Sequence, residues 1–256
     1  MKTNILPVYL RELKSLFFSP IAYIVLFTYL LLSGYFFGSS AALYSNYCMQ
    51  VMRQGRMQGG QLKLMEYLFG PFLGNLSVTF LFLLPLVSMR AFSEEKKNGT
   101  IELLFTYPLS DLDILLGKYL ASLTYLALML ACTAGYPLLL ADQAAIQWPL
   151  LFTGFAGLFL VGAAFMALGV FTSALSENQV IAAALGFGGL LLLFIVDWVA
   201  RTAGPLAGLL TEISVLNHFQ ELPKGNINLK DISYFVLFIA FFLFSTLRVL
   251  ESKKWR

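Results

Sequence analysis

Six long, mainly apolar runs decide most of what this chain can fold into. They cover residues 21–43, 72–89, 114–140, 150–171, 180–199 and 232–250. A bilayer core about 30 Å thick is crossed by roughly 20 apolar residues of helix, and each run is about that long. Backbone polar groups in lipid must be satisfied within the element, and helices do this. The sequence therefore predicts an all-α polytopic membrane protein with six transmembrane helices. Composition excludes the soluble alternative. Only 12% of the 256 residues are charged while 59% are hydrophobic, against about 25% charged in soluble domains. No segment is polar enough for a separate soluble domain, so residues 1–256 read as one transmembrane domain. A net charge of +3 gives no reason to expect nucleic acid. Cys48 and Cys132 lie far apart and fit neither a disulfide framework nor a metal site. The N-terminal apolar run lacks a small-residue cleavage site and reads as a retained span.

Lys and Arg beside the spans predict the orientation. With the N-terminus inside, cytoplasmic segments hold Lys2, Arg11, Lys14, Arg90, Lys96, Lys97, Lys118, Arg248, Lys253, Lys254 and Arg256. The other side holds Arg53, Arg56, Lys63, Arg201, Lys224 and Lys230. Both termini are accordingly expected in the cytoplasm. Residues 4–17 repeat apolar side chains at helical spacing, with Arg11, Glu12 and Lys14 largely on another face. They read either as an interfacial helix turning into the bilayer at Ser19-Pro20, or as an extension of the first span. The third run is long enough to kink near Gly135 and Pro137. Ser176 with Gln179 is expected to form a capping box opening the fifth span.

The loop over 92–113 is the most informative stretch. Ser93 is expected to cap a short helix carrying Glu94, Glu95, Lys96 and Lys97, Asn98-Gly99 to turn the chain, and Thr100–Phe105 to form a second short helix. Ser110 with Asp113 predicts a capping box at the third span. Such a protrusion suits docking to a soluble partner, and an ordinary solvated loop would read the same way. No Gly-x-x-x-x-Gly-Lys-Ser/Thr phosphate loop occurs, so ATP hydrolysis by this chain is not expected. His218, the single histidine, is not expected to bind metal, since zinc sites need several ligands. Asp197 is expected to pair with Arg201 one helical turn on. Gly154, Gly157 and Gly162, with Gly186, Gly188 and Gly189, read as surfaces for close helix packing.

The series Phe92-Ser-Glu-Glu-Lys-Lys-Asn-Gly-Thr-Ile-Glu-Leu-Leu, followed by Pro108-Leu-Ser-Asp and Leu116-Gly-Lys118, resembles the first cytoplasmic loop of type-2 ABC exporter permeases. Arg11-Glu-Leu-Lys-Ser-Leu-Phe-Phe-Ser-Pro-Ile-Ala-Tyr23 and the C-terminal segments 217–231 and 250–255 are similar to the gliding-motility-type branch of that family. Nitrous-oxide-reductase-maturation permeases are a close second. The resemblance implies a non-catalytic permease subunit of a bacterial plasma-membrane transporter. Its partners would be a separate ABC ATPase subunit and a second permease chain, identical or different. An auxiliary or extracytoplasmic subunit and membrane lipid complete the expected partners. No cofactor would be bound directly, ATP and Mg belonging to the ATPase. The ATPase contact would fall on Ser93, Glu94, Glu95, Lys96, Lys97, Gly99, Thr100 and Glu102, with Arg11, Glu12 and Lys14 of the interfacial helix nearby. The segment 200–230 would carry short re-entrant helices on the outer side. The function implied is export of a substrate driven by ATP hydrolysis in the partner. Two other classes fit the residues less well: a scaffold that passes ATPase-driven motion to an outer partner, and an ion-coupled carrier, for which mid-membrane charge is scarce.

Overall fold

The computed structural model describes residues 5–53, 64–100, 110–140, 146–200 and 207–254, and these are helical with no strand among them. Helix α1 (Ile5–Phe18) ends at Ser19, and α2 (Pro20–Arg53) follows at once. Pro20 has no N–H to donate and suits the first turn of a new helix. A π-helical turn, Met65–Phe69, leads into α3 (Gly70–Ser88), and α4 (Arg90–Lys97) continues almost directly from it. Then come α5 (Asp111–Thr133), α6 (Gly135–Leu140), α7 (Trp148–Leu175) and α8 (Gln179–Ala200). Two short helices, α9 (Ala207–Ile213) and α10 (Val215–Glu221), precede a 3-10 turn at Leu222–Lys224 and the closing α11 (Leu229–Lys254). Six of the helical stretches, built on α2, α3, α5, α7, α8 and α11, are long and apolar enough to cross a membrane.

The spans divide into inner and outer ones. In α7, 78% of the apolar window is buried, against 11% in α11, so α7 is the axis and α11 lies on its flank. A helix apolar on every side, as α7 is, belongs in such a position. Its glycines allow the approach. A Cβ at Gly154 would stand 2.6 Å from Leu73 Cδ1, one at Gly157 2.8 Å from Leu222 Cδ1, and one at Gly162 2.7 Å from Leu126 Cδ2. Glycine packing is thus present on this face of α7, and also at Gly186, where a Cβ would meet Thr172 Oγ1 at 3.1 Å; the space beside Gly188 is open. Hydroxyls tie α2 to α5. Tyr125 donates to the Ala22 carbonyl at 2.6 Å, and Tyr29 and Thr133 lie 3.4 Å apart. Such bonds satisfy polar groups where lipid offers no partner.

Three local expectations met different outcomes. The third run breaks as its Gly and Pro predict, α5 ending at Thr133 and α6 resuming at Gly135. The capping box at Ser110 and Asp113 is present. That at Ser176 and Gln179 is not. Gln179 is the first residue of α8, too early to reach back, and Asn178 Oδ1 accepts from Val180 N at 2.9 Å instead.

Candidate functional site

The charged residues of α1 and α4 converge on one residue of α5. Lys118 lies two turns into α5, and its side chain is 2% exposed. Its Nζ stands 2.9 Å from Glu12 Oε1 of α1 and 3.1 Å from Glu95 Oε1 of α4. Arg11 Nη2 meets the same two oxygens, at 2.9 and 2.5 Å. Two cations and two carboxylates therefore alternate in a closed ring that joins three helices. Phe92 of α4 sets its ring face 5.3 Å from the Lys118 ammonium, a favourable cation–π position.

Close packing brings the three helices to this distance. A Cβ on Gly117 would lie 2.8 Å from Val8 Cβ, so glycine lets α1 lie directly on α5. Tyr9 and Thr124 hydroxyls, 3.0 Å apart, extend the seam. On its other side α4 is bound to the end of α7. The amides of Phe92 and Ser93 both donate to Ser173 Oγ at 3.0 Å, and that hydroxyl donates to the Met89 carbonyl at 2.7 Å. Lys96 donates to the Ala174 carbonyl. Arg90 grips Glu94 with two bonds, 3.0 and 2.9 Å, and reaches Ser19 Oγ at the break between α1 and α2.

The expected contact residues thus separate into two groups. Ser93, Glu94, Glu95 and Lys96 are engaged within the molecule, as is Glu12. Lys97, Gly99, Thr100 and Lys14 are exposed, and Arg11 is 54% exposed although it closes the ring. Glu102 and the second short helix expected over 100–105 lie largely outside the described residues. Ser93 does not cap a helix. It is fully buried inside α4 and returns its hydroxyl to the Met89 carbonyl. With α4 continuing from α3, position 93 has no free helix terminus to satisfy. Gly99, at φ +66°, ends α4 in the left-handed conformation that glycine adopts readily.

Lys118 is the residue that pattern reading placed only as a flanking charge. A signal for it existed: it is the single charge in the apolar run 114–140, and such a charge is costly unless paired. Burial pushes the Glu12 carboxyl upward, but the charge and hydrogen bond of Lys118, with those of Arg11, outweigh burial and leave it below its ordinary value. A depressed carboxylate contributes stability fully present above the ordinary value, about 4.3, and lost as pH falls through the depressed one. A cysteine at Val8→Cys, buried against Gly117, should therefore stay protected from thiol reagents from neutrality down to about pH 4 and lose that protection only below it. Each labelling rate is divided by that of the unfolded chain at the same pH, because the reactive thiolate becomes scarce in acid.

Residues 18–252 match the sequence profile described as ABC-2 family transporter protein. The chain belongs to the ABC-2 transporter family. No curated protein matches it. As an ABC-2 family member it is a multi-pass membrane permease component of an ABC transporter, a class that works with an ABC ATPase. The ring of Arg11, Glu12, Glu95 and Lys118 is then the place where this ABC-2 chain fastens its first helix and the end of its second span into one body.

Proposed function

We propose that the chain is the permease half of an ABC exporter in a bacterial inner membrane, with both termini cytoplasmic. It would pair with a second permease chain, identical or not, and each would take its drive from an ATPase subunit carrying ATP and Mg. The observation that supports this reading is the way α4 is held. Its inner face is fixed by Ser173, Lys96 and the charge ring, while Lys97, Asn98, Gly99 and Thr100 stand exposed at its tip. A rigid arm with a free polar tip can receive a push and deliver it to α3, α5 and α7 together. Closure of the ATPase pair would then rock the permeases between inward- and outward-open states, an equilibrium that nucleotide biases. The gliding-motility-type branch is the finer assignment, resting on the resemblance of segments 11–23, 217–231 and 250–255. Few charges lie mid-span, which favours a lipidic, amphipathic or peptide-like substrate over an ion.

A scaffold role keeps one observation in its favour. Helix α2 has 34 residues, about 51 Å at roughly 1.5 Å per residue, and so overruns a 30 Å core. Its far end carries Tyr47 stacked on Tyr67 at 3.9 Å and could meet an outer or auxiliary subunit. Purification from the native host in mild detergent separates these readings from a lone carrier. A stoichiometric ATPase should accompany the chain, and Lys97→Glu should cut transport-coupled ATP turnover several-fold without changing the unfolding midpoint. Repeated isolation without any ATPase, or full coupling in Lys97→Glu, would defeat the assignment.

A further inference from the structure

At the end of the bundle opposite α4, His218 of α10 is buried, 3% exposed, with an oxygen in front of each ring nitrogen. Nε2 lies 3.0 Å from the Glu212 carbonyl of α9, and Nδ1 lies 2.6 Å from Asp231 Oδ1 in the first turn of α11. The ring stacks on Tyr234, centroids 4.2 Å apart, and the Tyr234 hydroxyl donates to the Ile213 carbonyl at 2.7 Å. A carbonyl only accepts, so Nε2 carries a proton. A neutral imidazole has no second one, and its bare Nδ1 would then oppose a carboxylate oxygen, lone pair to lone pair. At 2.6 Å in a buried site the contact requires one more proton, shared by His218 and Asp231. Asp231 is itself buried, and its Oδ2 has no hydrogen-bond partner among the described residues.

The neighbouring charges are otherwise engaged. Glu212 of α9 pairs with Lys230 of α11 at 2.5 Å, and this contact holds its carboxyl below the ordinary value. Glu221 of α10 pairs with Lys224 of the 3-10 turn at 2.7 Å. From α8, Asp197 accepts from Ser214 Oγ at 2.9 Å; Arg201, its expected partner, lies outside the described residues. Helix α7, also packed here, carries no ionisable side chain. We infer that His218 and Asp231 form a proton-operated latch, fastening α9 and α10 to the start of α11 while the pair holds its second proton and releasing them when that proton leaves. Release follows because a buried carboxylate facing a bare nitrogen has lost its compensation. The latch depends on this geometry alone and holds whatever the chain transports.

The test uses the full chain in lipid nanodiscs with Cys48→Ser, Cys132→Ser and a reporter Val215→Cys, a site 3% exposed in α10. Thiol labelling is followed from about pH 5 to about pH 9, across the range where histidine pairs exchange protons. Each rate is divided by that of the unfolded chain at the same pH. Protection at the acid end should give way to labelling several-fold faster at the alkaline end. His218→Gln should label fast throughout. Asp231→Asn should stay protected throughout, because its amide N–H can donate to the bare Nδ1 while Nε2–H remains on the Glu212 carbonyl. Flat labelling in the reporter parent, or an alkaline rise that survives in Asp231→Asn, would overturn the latch.

Discussion

Lys118→Met is expected to release α1 and to destabilise the protein by about 3 kcal/mol, the low end of the cost of stranding buried charge. The side chain lost is 2% exposed, and the carboxylates it serves, Glu12 and Glu95, are only 16% and 15% exposed. Arg11 would remain to both, but it reaches them from the solvent side with half its surface in water. Glu95 Oε2 is already buried without a hydrogen-bond partner among the described residues, so that carboxylate has nothing in reserve. Methionine fills a similar volume, which keeps a cavity from being the cause. The discriminating variant is the triple change Lys118→Met, Glu12→Gln and Glu95→Gln. Replacing a buried ionic set by groups that carry no stranded charge is often neutral, so the triple variant should regain most of what the single one lost. Unfolding midpoints and the protection of a cysteine at Val8→Cys measure both. A triple variant no better than the single one would mean that Lys118 acts by packing its stem and not by charge.

The same ring shows where the sequence was readable and where it was not. The six spans were legible because lipid demands about 20 apolar residues in a row, a signal that needs no tertiary information. The break between α5 and α6 was legible from Gly135 and Pro137, and the Ser110–Asp113 cap from residues three apart. Ser93 was misread because a cap argument assumes that a helix begins beside its polar flank. Here α4 instead runs on from α3, docked by Ser173, a residue 80 positions further along the chain. Lys118 was visible as a charge but not as a hub, since its partners come from α1 and α4. His218 looked isolated because Asp231 lies beyond a turn, 13 residues on, at no spacing that a helix or strand would advertise. Local chemistry was readable; polar contacts assembled from distant segments were not.

Gly169→Ala is expected to have the second large effect, by forcing α7 away from α3. A Cβ at Gly169 would stand 2.7 Å from Ser88 Cβ and nearer still to its hydroxyl oxygen. Ser88 is fully buried and already bonded to the Leu84 carbonyl at 3.0 Å. Neither helix can yield easily, because α8 closes the other side, with Gly186 against Thr172. Overpacking of this kind costs about 1–3 kcal/mol, and since each helix keeps its own hydrogen bonds in lipid, helicity should not change while the unfolding midpoint falls. Ser88→Gly added to Gly169→Ala should restore it, and Gly188→Ala, where the space is open, should leave it unmoved. The damage should also reach the coupling arm. Ser173 lies one turn beyond Gly169 on the same face of α7 and holds the Phe92 and Ser93 amides, so parting α3 from α7 at Gly169 draws that hydroxyl off α4. Gly169→Ala should therefore expose α4 to proteolysis or thiol labelling in proportion to its loss of stability. Full protection of α4 in a variant that is nonetheless destabilised would show that the arm is held by the charge ring alone and not by the α3–α7 seam.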